Sequence, residues 1–154
     1  MRWVPALLLA LAWSAPAGAQ VTVYEHGYAF NSSDLNENHF IVLDSVISPP
    51  RGWYYGTSDE FDQAREGYLP GFFVAPMEGL TLSASTISFA LRRPERFFAS
   101  PVPFTYRSAD AVPAGVFGDW TVRLPEESRH YVGATSSDQI TLDLPGGPRV
   151  FRRR

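Results

Sequence analysis

Apolar and polar residues alternate with a period of two along much of the chain. Over residues 139–144, Ile140, Leu142 and Leu144 alternate with Gln139, Thr141 and Asp143. Over 119–124, Trp120, Val122 and Leu124 alternate with Asp119, Thr121 and Arg123. This period gives an extended strand one apolar and one polar face. Residues 79–92 read as two strands, Leu80 and Leu82 on the first, Ile87, Phe89 and Leu91 on the second. The phase slips near Ala84-Ser85-Thr86, which predicts a turn or bulge there. Residues 21–30 and 39–47 also read as strands, and the second is apolar on both faces, as a central strand is. Residues 129–134 and 148–152 are shorter candidates. Pro- and Gly-rich clusters at 48–52, 69–71, 101–103, 113–115 and 145–148 mark turns and recur too often to leave room for a long helix.

The stretch 52–73, GWYYGTSDEFDQAREGYLPGFF, departs from this pattern, with aromatic residues at both ends and acids in the middle. Its spacing predicts one short helix over 57–66. Thr57-Ser58-Asp59-Glu60 has the form of a capping box, and Asp59, Glu60 and Asp62 fall in the first turn, where the helix dipole favours negative charge. Gly67 suits the C-terminal stop. Phe61, Ala64 and Tyr68 then share a face that can dock on a β-domain. Before the helix, a strand over 52–56 puts Trp53 and Tyr55 on one face and Tyr54 on the other.

The fold expected from these elements is all-β: a single small barrel or sandwich of lipocalin-like shape with one short helix near 57–66. Gly118-Asp119-Trp120 has the G-x-W spacing of lipocalin-like barrels, which carry it on their first strand, whereas here it comes late. Three residues make no family assignment.

Residues 1–19 read as a signal peptide, cleaved after Ala19. Arg2 precedes an apolar run from about Val4 to Trp13, and Ala17-Gly18-Ala19 ends it. The run is too short to span a bilayer. The expected mature chain is one β-rich domain over 20–154, exported to the periplasm or the extracellular space, with no membrane span. The chain has no cysteine, so it holds no disulfide, thiol nucleophile or thiolate metal site.

Composition sharpens the picture where it bears on partners. Aromatic residues make up 14% of the chain, enough to supply much of a β-core. Thirteen basic residues, all arginine, oppose 16 acidic ones for a net charge of −3. Loss of Arg2 would make the mature chain more negative still. That balance argues against nucleic-acid binding, which uses a basic face. The one basic run, Arg152-Arg153-Arg154, reads as a frayed, solvated tail.

Candidate chemistry is sparse. Asp59, Glu60, Asp62 and Glu66 are solvated helix charges first, and acid–base or cation-binding groups only second. His26, His39 and His130 lack helical ligand spacing, and there is no H-E-x-x-H, G-x-S-x-G, P-loop or dinucleotide motif. The expected function is a non-catalytic binding module for a small apolar molecule, a glycan or a protein partner, with no cofactor and no metal. Its expected walls are Trp53, Tyr55, Phe61 and Tyr68, with Asp59 and Arg65 at the rim. The first alternative is a small hydrolase acting on cell-wall or extracellular polymer, through Asp59, Asp62 or Glu66 with His26 or His130. The second is a structural or inhibitor protein with a surface patch only.

Overall fold

The computed structural model describes residues 21–27, 38–58, 61–62, 67–68, 71–92, 94, 96–113, 117–121 and 128–154. Thirteen strands are seen among them. They are β1 (Thr22–His26), β2 (His39–Asp44), β3 (Arg51–Ser58), β4 (Phe61–Asp62), β5 (Gly67–Tyr68), β6 (Gly71–Pro76) and β7 (Glu78–Leu82), followed by β8 (Thr86–Arg92), β9 (Arg96–Phe98), β10 (Phe117–Thr121), β11 (Ser128–Thr135), β12 (Gln139–Leu142) and β13 (Arg149–Arg153). The helix seen among the described residues is one 3-10 turn, Ala109–Ala111. Eleven strands form one antiparallel sheet in the order β10-β9-β6-β3-β2-β1-β13-β12-β11-β8-β7, and β4 and β5 pair as a separate two-stranded ribbon. The fold is all-β, and the sheet is not closed.

The alternating stretches 79–92 and 139–142 form strands as expected, 119–121 belong to β10 while 122–124 lie outside the described residues, and β2 lies centrally between β1 and β3. The phase slip in 79–92 is the β7–β8 turn, where Ser83 N donates to Thr86 O at 2.9 Å. Strands β6 and β9 were not legible in the alternation. The expected helix over 57–66 is corrected. Thr57 and Ser58 belong to β3 and pair with Phe72 and Gly71, while Phe61 and Asp62 pair with Tyr68 and Gly67. Residues 59–60 and 63–66 lie outside the described residues. A helix this short is marginal on its own. Pairing with β6 instead gives β3 a ladder that runs from Trp53–Pro76 to Ser58–Gly71. The basic end is corrected too. Arg152 and Arg153 are ladder residues of β13, paired with Glu25 and Tyr24 of β1, and only their side chains are solvated.

The sheet curls around one core. Nine consecutive strands, from β6 to β7 in the sheet order, contribute to a single cluster. It contains Tyr24, Ile41, Tyr54, Ala75, Phe151, Ile140 and Phe89 among the fully packed members, with Tyr131, Leu80 and Leu82 against it. Ile41, Ile87, Ile140, Leu142 and Phe151 have 0% exposure. Burying each contributes about 1.5–3 kcal/mol, so this inner face supplies the main drive to fold. The chain passes from β6, paired with β3, directly into β7, paired with β8 at the far edge of the sheet. At the bend, Met77 N donates to Gly52 O at 2.8 Å, and Gly79 takes φ +59.

The outer face of β1, β2, β3 and β6 is buried as well. Residues 101–113 cross it, and Val102 and Val112 join Val42, Tyr55, Val74 and Phe98 in a second cluster. This explains why β2 is apolar in both phases. Strand β12 keeps the simple alternation, with Ile140 and Leu142 buried and Gln139 and Thr141 partly exposed.

Candidate functional site

Strand β3 places its three consecutive rings on opposite faces of the sheet. Trp53 and Tyr55 face the crossing segment 101–113, and Tyr54 faces the inner core. Tyr55 is 2% exposed, and its hydroxyl donates to Tyr106 O at 2.7 Å and accepts from Arg107 Nη1 at 3.2 Å. Burial pushes its phenol pKa up, and the Arg107 hydrogen bond and charge oppose part of that rise. The Arg107 guanidinium lies 4.5 Å from the Trp53 ring centroid, a cation–π contact. Trp53 and Tyr55, expected to be ligand walls, therefore hold a segment of their own chain. Tyr55→Phe removes the anchor of that segment and is expected to cost about 1–2 kcal/mol. A denaturant midpoint unchanged from wild type would show that the hydroxyl contact contributes nothing.

Beside this anchor is a pocket of about 220 Å³, between the outer sheet face and residues 101–104. The rings of Phe40, Tyr55, Phe72 and Phe104 on this side line it, together with Asn38, Gly56 and Phe73. The Phe104 ring meets Phe40 at 5.1 Å and Tyr55 at 5.0 Å, both edge-on. Asn38 Nδ2 donates to Glu25 Oε1 at 2.7 Å, which holds the one amide side chain among the described lining residues. Of the expected site residues whose side chains are described, Tyr55 lines this pocket. Trp53 lies beyond it under Arg107. Asp59 and Arg65 lie outside the described residues, as do the side chains of Phe61 and Tyr68. Phe72 and Phe73 were visible in the sequence as a pair of rings after the 69–71 turn. Nothing local to Phe40 or Phe104 signalled a pocket.

On the inner face Tyr54 is the hub of a ring cluster. It stacks on Phe73 at 6.1 Å and Tyr131 at 6.4 Å, and meets Phe151 edge-on at 6.0 Å. His39 and His26 are direct cross-strand partners. Gly56 makes the room for His39, since a Cβ at Gly56 would stand 2.7 Å from the imidazole Nδ1. Arg149 Nη1 donates to the Tyr54 hydroxyl at 2.9 Å, and Tyr54 donates on to His39 Nδ1 at 2.7 Å. Arg149 Nη1 also approaches His39 Nδ1 at 3.3 Å. A guanidinium only donates, so Nδ1 carries the lone pair and the imidazole proton sits on Nε2. Burial first, then the charges of Arg149 and His26, lower the His39 pKa from its ordinary 6.5 to about 3. A base that weak abstracts no proton efficiently near neutrality, so His39 acts here as a neutral acceptor that positions its neighbours.

His26 Nδ1 donates to Val150 O at 2.8 Å. His26 and His130 line one cleft together with Arg129, Tyr131, Asp143 and Arg149. The phase of the strands carried this information. His39 is in phase with the inward Ile41 and Leu43, and Arg149 with the inward Phe151. No group of three or more His, Asp or Glu placed to hold a metal occurs among the described residues.

No protein-family model, curated protein or solved structure matches the chain. No helix among the described residues is long and apolar enough to cross a membrane.

Proposed function

We propose that this chain is an exported, non-catalytic binding module that holds a small apolar molecule of one or two rings. The observation that carries this reading is the ring-lined pocket at Phe40, Tyr55, Phe72 and Phe104. An apolar cavity of about 150 Å³ is enough to hold benzene, so about 220 Å³ suits a slightly larger flat molecule. Rings supply contact area with little rotamer entropy to lose, and one polar group at the edge orients the guest. Export is supported by the leader-like pattern of residues 1–19. A barrel-like shape is supported by the continuous passage of β6 into β7, which carries the chain from one side of the curled sheet to the other.

The expected result is a retained mass, in the range of a small ring compound, on native mass spectrometry of the chain purified from its own host. A naphthalene-type fluorescent probe should then compete with it at one site. Phe104→Ala removes one wall and should weaken the probe at least about tenfold, the loss of roughly 1.4 kcal/mol of contact. A bare chain that takes up no probe up to its solubility limit overturns the reading, and so does probe affinity indifferent to Phe104.

A further inference from the structure

We infer that the cleft between the end of β1, β11 and the β12–β13 turn is a second binding site, for a small oxyanion bearing two or more negative charges. Its volume is about 810 Å³, within the range of small-molecule sites. Arg129, Arg149, His26 and His130 line it, and Asp143 is the one acid among the described lining residues. The chain as a whole carries a net charge of −3. A cationic concavity on an acidic protein concentrates its field where a low-dielectric wall backs it, and this raises the local concentration of anions.

The wall is rigid. Tyr131, which forms part of it, stacks on Phe89 at 5.2 Å with an interplanar angle of 12°. Arg149 comes to the cleft already held by Tyr54 and His39, so its guanidinium is oriented before any ligand arrives. A preset planar fork matches carboxylate and phosphate oxygens better than a mobile ammonium does. Arg129 enters from β11, opposite Leu91 of β8, and is exposed. The rim is the turn Pro145-Gly146-Gly147-Pro148, where a Cβ at either glycine would meet nothing within 4 Å. An anion can therefore reach the backbone from that side. This site is distinct from the ring-lined pocket, and neither proposal depends on the other.

The test is isothermal titration of the full mature chain with citrate and, separately, with inorganic phosphate, followed by amide-shift mapping. The expected result is one-site saturation by citrate in the millimolar range or tighter, with shifts centred on residues 129–131 and 143–149. Arg129→Gln should weaken it about tenfold, and His130→Gln should weaken it less. Arg129 is exposed, so this variant is expected to fold. Arg149→Lys keeps the charge and removes the fork, and it should weaken citrate several-fold. Saturation by phosphate as well assigns the site to oxyanions in general, and saturation by citrate alone narrows it to polycarboxylates. Three results overturn the inference: no saturable binding of either anion, citrate affinity unchanged in Arg129→Gln, or shifts centred instead on Arg152–Arg154.

Discussion

Gly133→Ala is expected to destabilise the protein by roughly 3 kcal/mol, near the upper end of overpacking substitutions. Gly133 is buried in β11 and faces Leu142 of β12. A Cβ at this position would lie 2.1 Å from Thr141 O and 3.0 Å from Leu142 Cα. Both are backbone atoms, so no rotamer change relieves the clash. The β11–β12 ladder must separate or slip, and Ile140 and Leu142 are fully buried on that ladder. Gly146→Ala is the matched control, since its Cβ meets nothing within 4 Å and should change stability by less than about 0.5 kcal/mol. Urea midpoints of the two variants decide the matter. Equal midpoints would mean that the close approach of the two strands is not a constraint on the fold.

Acid should unfold this protein through His39. The unfolded chain protonates His39 as pH falls through 6.5, whereas the folded chain holds it neutral down to about 3. Between those values the unfolded state binds the extra proton, so stability declines as pH falls. The slope is about 1.4 kcal/mol per pH unit, which amounts to roughly 2 kcal/mol between pH 7 and pH 5. The comparison belongs in that window because most carboxylates titrate below it. His39→Gln keeps an amide oxygen that can accept from Tyr54 and cannot gain the proton. Its stability should be lower than wild type at pH 7 and nearly flat down to pH 5. Parallel wild-type and variant curves across this window would place the acid sensitivity in some other group.

The two corrections to the sequence reading share a cause. The capping-box pattern at Thr57-Ser58-Asp59-Glu60 is a local signal, worth about a kilocalorie per mole for a helix start. The alternative is the extension of β3 along β6, whose partners Phe72 and Gly71 come about 13–15 positions later in the chain and depend on a turn that spacing does not reveal. Arg152 and Arg153 looked like a solvated tail because their side chains are charged, yet the backbone of a strand pairs whatever its side chains carry. The same limit hid the site. Tyr55 was legible as a ring on the face opposite Tyr54, but only the crossing of 101–113 shows that it is occupied by Tyr106 and Arg107.

By itself, the sequence determined the all-β class, most of the strands, the shared inward phase of Ile87, Phe89 and Leu91 and of Ile140 and Leu142, and the absence of thiol chemistry. These follow from properties that each residue expresses within its own strand: a period of two, branched and aromatic side chains, and turn residues. The tertiary structure alone decided the strand order, the second apolar layer laid by residues 101–113, the pocket beside Phe104, and the meeting of His39, Tyr54 and Arg149. Those depend on contacts between residues as far apart as His39 and Arg149, which are 110 positions apart in the chain. Local preference carries no record of such pairs, because they are selected by the burial and hydrogen bonding of the whole chain at once.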